Sequence, residues 1–169
     1  SPACSTVTGS WPPSRAANAV ETRLQVVVLV LDIERFGALN DGLGHDTGDD
    51  ILRGVAKAFE RLPWYVEDGA RMSSDTFALL IESDDPEEAV GEVVEQARTD
   101  LRGLVLPDGR EVEVAFRAGY VVNAVGSEQP ADWLVEAADL ALSRARGSRQ
   151  AMLVEYHEDM RAETERRLA

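Results

Sequence analysis

The chain has 169 residues, which suits one domain with a sizeable core, and a hydrophobic content of 44% that is typical of globular proteins. Its 17 basic and 31 acidic residues give a net charge of −14, which argues against a nucleic-acid polymer or an anionic membrane as partner. A single small nucleotide stays possible, because a divalent cation can bridge acidic side chains to phosphate.

The lone cysteine, Cys4, leaves no pair for a disulfide within the chain. The longest purely apolar run, residues 26–31, is far shorter than a membrane span. We therefore expect a cytoplasmic setting, in which a longer parent protein could still be anchored in a membrane.

The predicted elements follow one another in an irregular order of strands and helices. Turn residues and apolar periodicity predict an irregular lead-in (1–14), a short helix (15–24) and a strand buried on both faces (25–33). A polar loop (40–49) then leads into a helix (46–62) capped by Asp46 or Thr47, which a hairpin follows (68–72 and 77–81). The rest of the chain is predicted to form a helix that Asp85 caps, a long strand (111–122), a helix (131–146) and a short strand (152–156). This order predicts an α/β (α+β) fold with a mixed, largely antiparallel central sheet flanked by helices, rather than a doubly wound parallel sheet.

Two aspartates stand at predicted strand ends. Asp32 ends the buried strand, and Asp75 lies at the tip of the Ser73-Ser74-Asp75 turn. Each alone is most simply a cap or a turn residue. Together, at the tips of adjacent strands, they would repel unless a cation such as Mg²⁺ lay between them.

The polar loop at 40–49 has two readings. Asn40 and Asp49 offer the donors and acceptors that recognise a guanine edge, but a glycine-containing loop with a helix cap would explain the same residues. His45 is more simply a loop or packing residue.

The order and spacing of these pieces are more specific than any one of them. The segment LDIERFGALNDGLGHDTGDDILRGVAKAFERL, followed by ARMSSDTFALL, resembles the GGDEF family of diguanylate cyclases, whose opening motif is roughly D-x-D-x-F-K-x-[IL]-N-D-x-x-G-H-x-x-G-D-x-x-L. The later segments AFRAGYVV and ADWLVEAADLALSRAR resemble the family's strand and its A-D-x-A-L-x-x-A-K helix. The resemblance covers residues 15–156 and implies a fold akin to nucleotidyl cyclase and polymerase palm domains.

The resemblance also implies a site. Family members join two GTP molecules into cyclic di-GMP across a facing pair of domains, with two metal ions, so a homodimer is possible. By position, Asp32, Asp75 and the Ile33 carbonyl would hold Mg²⁺, and Asn40 and Asp49 would bind guanine. The phosphate contacts would come from the backbone at Glu34, Arg35 and Phe36, from Arg146, and from Arg149 as a substitute for an arginine that aligns with Gln150.

Departures from the family pattern predict a loss of cyclase activity. Thr76 replaces the signature glutamate and cannot supply its carboxylate, so no residue is assigned a catalytic role. Ser73 and Ser74 replace two glycines, and we expect them to adopt a positive φ only at a cost. Gly37 replaces a lysine, and residues 64–67 lack the arginine of the family's R-x-x-D product-inhibition motif.

Three functional hypotheses follow. The first is a catalytically inactive GGDEF domain that binds GTP with Mg²⁺ and regulates an attached or partner domain. The second is a nucleotide-free interaction or dimerisation scaffold, and the third is a residual diguanylate cyclase. The charged segment 157–169 resembles the connector to a C-terminal phosphodiesterase (EAL) domain, and the alternative is a terminal helix packed on its own domain.

Overall fold

The computed structural model describes residues 4–5, 24–124, 127 and 129–169. In chain order the elements are β1 (Cys4–Ser5), β2 (Gln25–Ile33), α1 (Phe36–Leu43), α2 (His45–Glu60), β3 (Val66–Arg71), β4 (Thr76–Ser83), α3 (Pro86–Arg102), β5 (Leu104–Val105), β6 (Glu111–Val112), β7 (Phe116–Asn123), α4 (Ala131–Gly147), β8 (Leu153–Glu155) and α5 (Glu158–Leu168). The predicted helix at 15–24 and most of the lead-in lie outside the described residues.

The main sheet has six strands in the order β1-β3-β4-β2-β7-β8. The inner pairings β3–β4, β4–β2 and β2–β7 are antiparallel, and the two outer pairings, β1–β3 and β7–β8, are parallel. The prediction of a mixed, largely antiparallel sheet flanked by helices is therefore confirmed.

Strand β2 is the centre of the core because its run of branched residues is apolar on both faces. Val27, Leu29 and Leu31 pack with the buried sides of α2 and α3. Val26, Val28 and Val30 pack on the other face with α4. Since side chains alternate along a strand, Asp32 belongs to the same face as Val30, the face that α4 covers.

The predicted polar loop at 40–49 is wrong as a loop. Residues 36–43 form α1, which Phe36 ties to the core, and α2 follows after Gly44 alone. Gly44 has a φ of 91°, which glycine adopts without a steric cost, so the chain can turn between two helices in one residue.

The predicted side-chain cap of the next helix is also wrong. Gly44 occupies the N-cap position of α2, and neither Asp46 nor Thr47 makes a capping hydrogen bond. Thr47 is instead buried, and its hydroxyl accepts a hydrogen bond of 3.1 Å from Arg110. By contrast, Asp85 caps α3 as predicted, since its carboxylate accepts from the Glu88 amide at 3.2 Å.

The predicted long strand at 111–122 is divided. Its start, β6, pairs only with β5, and the main-sheet strand begins at Phe116. Between them the Val114 amide donates to the Leu101 carbonyl at 2.8 Å, which fastens this segment to the end of α3. The division places residues 113–115 beside α3 instead of in the sheet.

The last helix, α5, lies on its own domain. Arg144 on α4 forms an ion pair with Glu163, and the Arg161 guanidinium lies 5.3 Å from the centre of the Trp133 ring. Met160 packs against the core cluster under α4, but no residue of α5 is buried. These contacts agree with the alternative of a helix packed on its own domain, and a continuation into another domain stays a prediction. No helix within the described ranges is long and apolar enough to cross a membrane.

Candidate nucleotide and metal site

Asp32 is held at the end of β2 by neighbours on both sides. Its register partners are Thr76 on β4 and Arg117 on β7. The C-terminal end of α4 lies above this face of the sheet, and there Arg146 Nε donates a hydrogen bond of 2.8 Å to Asp32 Oδ2. The sheet register therefore brings together one carboxylate and one guanidinium from residues 114 positions apart.

The surroundings of Asp32 shift the pKa of its carboxyl in opposite directions. Burial raises the pKa of the Asp32 carboxyl, Arg146 acts to lower it, and the nearby Asp75 carboxylate raises it again. The net direction is upward. Asp32 Oδ1 is buried and accepts no hydrogen bond from any described residue, so one oxygen of this carboxylate is left unsatisfied.

Asp75 is presented by the turn between β3 and β4. Its backbone carbonyl accepts from the Ile33 amide at 3.0 Å, which joins the turn to the end of β2. The hydroxyls of Ser73, Ser74 and Thr76 lie 3.4–3.5 Å from Asp75 Oδ1. The turn thus surrounds one carboxylate with three weak hydroxyl donors and adds no second negative charge.

Arg71 stabilises the backbone of this turn with two hydrogen bonds. Its guanidinium donates to the carbonyl oxygens of Ser73 at 2.9 Å and Ser74 at 3.0 Å. Within the described ranges the only non-glycine residue with a positive φ is Arg35, at 53°. Ser73 and Ser74 therefore do not adopt the positive φ that would be costly for serine, and this turn form places neither of them in the left-handed region.

A cavity of about 500 Å³ opens at this end of the sheet. Its lining brings together most of the predicted metal and phosphate residues: Asp32, Ile33, Glu34, Arg35, Phe36, Asp75 and Arg146, with Gly37 and Arg117 in addition. Arg35 has a left-handed backbone with φ of 53°, and a Cβ added at Gly37 would meet nothing within 4 Å.

Arg117 is a site residue that the sequence analysis missed. Its Nη1 donates to the carbonyl oxygens of Ala145 at 3.2 Å, Ser148 at 2.8 Å and Ala151 at 2.7 Å, and its Nε pairs with Glu34. The side chain is only 23% exposed. Arg117 therefore fastens the end of α4 and the approach to β8 onto the end of β2.

Asn40 and Asp49 do not line this cavity. Packing of α1 on α2 lays the Asn40 side chain over Gly48, where an added Cβ would come within 1.7 Å of Asn40 Oδ1. That oxygen is buried and has no hydrogen-bond partner among the described residues. Asn40 thus lies against the residue that precedes Asp49, and a missing side chain at Gly48 leaves the space for it.

Arg149 is separated from the cavity that contains Asp32. It lines a neighbouring cavity on the other side of the Glu34–Arg117 pair. Gln150 lines that neighbouring cavity as well, and the role of Arg149 at a phosphate stays a prediction.

The oxygen donors at the sheet end fit a hard divalent cation. Two neighbouring carboxylates, one of them with a buried free oxygen, are the ligand type that Mg²⁺ prefers. No group of three or more His, Cys, Asp or Glu with metal-binding geometry occurs in the described part of the chain. The pair alone is therefore an incomplete set, and further oxygen ligands, from water or from a phosphate, would complete it.

The comparisons with known proteins give the class to which this fold and site belong. The family model described as "Diguanylate cyclase, GGDEF domain" matches residues 14–151. The chain is thus a member of the GGDEF family of cyclic di-GMP signalling.

Particular relatives agree with this assignment. Diguanylate cyclase TpbB of Pseudomonas aeruginosa is 30% identical over 141 residues, covering 79% of this chain and 32% of TpbB. The solved GGDEF domain of TpbB has a TM-score of 0.71 and 28% identity, covering 85% of this chain and 90% of that structure. An EAL/GGDEF domain protein from M. capsulatus has the same fold, with a TM-score of 0.67, 23% identity and coverages of 79% and 85%.

The matches cover only a part of each curated relative. The chain spans 32% of the length of TpbB and 18% of an uncharacterised Sinorhizobium fredii protein that it also matches. The rest of each relative has no counterpart in this sequence.

Proposed function

We propose that this GGDEF domain binds GTP with Mg²⁺, does not cyclise it, and acts as a regulatory module in cyclic di-GMP signalling. The observation that carries the proposal is the pair of residues at the sheet end: Thr76 stands directly across from Asp32, at the place of the signature glutamate. The carboxylates of Asp32 and Asp75 are retained there, and Arg146 lies 2.8 Å from Asp32. The residues that would bind metal and phosphate are kept, and the glutamate that the family needs for cyclisation is replaced.

Arg146 and Asp32 would exchange partners on binding. With no nucleotide, the guanidinium satisfies one oxygen of Asp32. A metal at the carboxylates would take over that charge, and Arg146, with 44% of its side chain exposed, could turn to the phosphates. Mg²⁺ supplies neutralisation of the triphosphate charge when bound. Asn40 and Asp49 would orient the base through hydrogen bonds.

Thr76 explains why turnover is not expected. Its hydroxyl lies near Asp75 Oδ1 and the residue is buried, so it offers neither a negative charge to a metal nor a base to an attacking hydroxyl. Loss of one catalytic group commonly lowers a rate by several powers of ten. The described turn contains no other carboxylate that could take its place.

Thermal unfolding with GTP and MgCl₂ tests binding. At about 100 times Kd, binding stabilises a fold by about 2.7 kcal/mol, which for this length is a rise of roughly 5–10 °C in Tm. ATP should raise the Tm less. Asp32→Ala and Asp49→Ala should each abolish the shift, and Asp159→Ala, an exposed aspartate on α5 with the same charge change, should retain it.

Two outcomes would replace the proposal. If millimolar GTP and ATP both leave the Tm unchanged, the domain is better explained as a nucleotide-free scaffold. Overnight incubation with GTP and Mg²⁺ or Mn²⁺, followed by chromatography, should give no cyclic di-GMP, and clear turnover would favour a residual cyclase instead.

Regulation would run through the segment after α4. Arg117 bonds to Ala145, Ser148 and Ala151, and β8 then leads directly into α5. The proposed output is an attached EAL domain or a partner protein, and a ligand can bias it only through contacts that differ between two states. Hydrogen exchange on the full-length parent protein should show that GTP alters protection in residues 152–169. Changes confined to the surroundings of Asp32 and Asp75 would mean binding without this signalling path.

A further inference from the structure

A second cavity, of about 240 Å³, lies beyond the Glu34–Arg117 ion pair. The ion pair forms a shared wall, because both residues also line the larger cavity at Asp32. The remaining walls come from the end of α3, the segment before β7 and the loop after α4. The charged lining residues are Arg98, Arg102, Arg117, Arg149, Glu34 and Glu113.

The charge of this cavity is opposite to that of the chain. Four arginines and two glutamates give its lining a net charge of +2, whereas the whole chain carries −14. Arg117 and Glu34 neutralise each other. Arg98, Arg102 and Arg149 form no ion pair with any described residue, and all three are exposed residues in the cavity lining.

The placement of Arg98 and Arg102 adds repulsion. They stand four residues apart on α3, and like charges at that spacing repel each other on a helix surface. Arg149 approaches from a different element, the loop after α4. An anion between the three guanidinium groups would relieve this repulsion and could accept hydrogen bonds from three directions.

We propose that this second cavity binds a compact, multiply charged phosphate anion. Guanidinium groups match phosphate oxygens in pairs of parallel hydrogen bonds, and several of them around one ligand favour a highly charged anion over a single carboxylate. The small volume and the acidic surroundings disfavour a polymer. This site is separate from the proposed GTP·Mg²⁺ site and needs no metal, because its lining has arginines where the other has the Asp32–Asp75 pair.

The phosphate could come from two sources. One is a free anion such as pyrophosphate, and the other is the terminal phosphate of a nucleotide seated in the first cavity and reaching past Glu34. Both sources offer the same phosphate oxygens to the arginines, and only a nucleotide held in the first cavity depends on Asp32. A titration of pyrophosphate alone, in EDTA, separates the two.

The experiment is isothermal titration of the whole chain with sodium pyrophosphate at low salt. We expect binding to the wild type and equal binding to Asp32→Asn. Replacement of both arginines in Arg98→Gln/Arg102→Gln should weaken binding by roughly tenfold or more, because each removes charge-assisted hydrogen bonds to the anion. The matched control is Arg166→Gln/Arg167→Gln, which removes two exposed charges from α5 and should leave the affinity unchanged.

Each other outcome overturns the proposal. No heat at millimolar pyrophosphate would show that the arginines are an ordinary solvated surface. Equal weakening in the two double variants would show attraction to the net charge only. Stronger binding in Asp32→Asn would place the phosphate in the first cavity, because without a metal the Asp32 carboxylate repels an anion and pairs with Arg146. Nitrogen NMR of the arginine Nε–H groups adds a direct readout, in which Arg98, Arg102 and Arg149 signals should shift together on titration.

Discussion

Helix α4 comes very close to the sheet at Gly119. The helix presents a face of fully buried small residues, Ala137, Ala138 and Ala141, to β7. A Cβ added at Gly119 would lie 2.1 Å from the Leu142 amide nitrogen and 2.6 Å from the Ala138 carbonyl oxygen. Both atoms belong to the helix backbone, so no side-chain rotation can relieve the overlap.

We therefore predict that Gly119→Ala is strongly destabilising. Ordinary contact begins at 3.4 Å, so the helix backbone must retreat by about 1.3 Å from its 2.1 Å position. A gap of about 1 Å forfeits a quarter to a half of the dispersion attraction of the facing atoms, and overpacking of this kind costs about 3 kcal/mol. For a domain of this length the Tm should fall by roughly 6–12 °C.

The comparison variant is Gly91→Ala. Gly91 is exposed in the interior of α3, and an added Cβ would meet nothing within 4 Å. This substitution should stabilise the domain by about 0.5–1 kcal/mol, since alanine loses less backbone entropy than glycine in a helix. Urea unfolding of both variants gives the two signs directly. Equal stability of Gly119→Ala and Gly91→Ala would refute the close approach of α4.

Three further predictions concern the site. Gly48→Ala should displace the Asn40 side chain, whose Oδ1 lies 1.7 Å from the new Cβ, and so weaken GTP binding roughly tenfold with a Tm change of only a few degrees. Calorimetry checks the affinity, and unchanged binding would contradict a role for Asn40. Burial raises the pKa of Asp32, and an acid whose pKa is higher in the folded chain stabilises the fold below its unfolded value and loses that contribution as the pH rises. Asp32→Asn should thus raise the Tm in EDTA at neutral pH, and the gain should shrink as the pH falls toward 3.8, the ordinary value. Arg117→Met should lower the free energy of unfolding by about 2–4 kcal/mol in urea and Arg117→Lys by less, because three carbonyl oxygens lose a charged donor; a loss below 1 kcal/mol would show that water replaces it.

Local signals in the sequence predicted the sheet and its hairpin well. The β-branched run of β2 and the turn before Asp75 can be predicted from neighbouring residues alone, because apolar patterning and turn residues are short-range properties. The cap at Asp85 followed from the same kind of signal. These elements carry Asp32 and Asp75, so the proximity of the two carboxylates was predictable from the sequence together with the family motif.

The parts that were missed depend on distant contacts. Helix α1 reads as a loop because its glycines and its Asn40-Asp41 pair disfavour a helix, and only packing of Phe36 into the core overrides them. Arg117 lies inside a predicted strand, yet its partners stand 28 to 83 positions away in the chain. No local pattern could place Arg149 behind the Glu34–Arg117 pair.

The free-energy cost of the partly buried Asp32 carboxylate favours the hypothesis of a GTP-binding domain over that of a nucleotide-free scaffold. A scaffold gains nothing from a half-buried carboxylate that repels Asp75 and keeps a buried oxygen without a hydrogen-bond partner among the described residues. Arg146 offsets only part of this cost, because its bond reaches one oxygen and leaves the other unsatisfied. A bound cation would satisfy the free oxygen of Asp32, remove the repulsion and release Arg146 for a phosphate. A ligand at these residues would therefore offset their cost to the fold, which is the behaviour required of a domain that reports nucleotide through a change in stability.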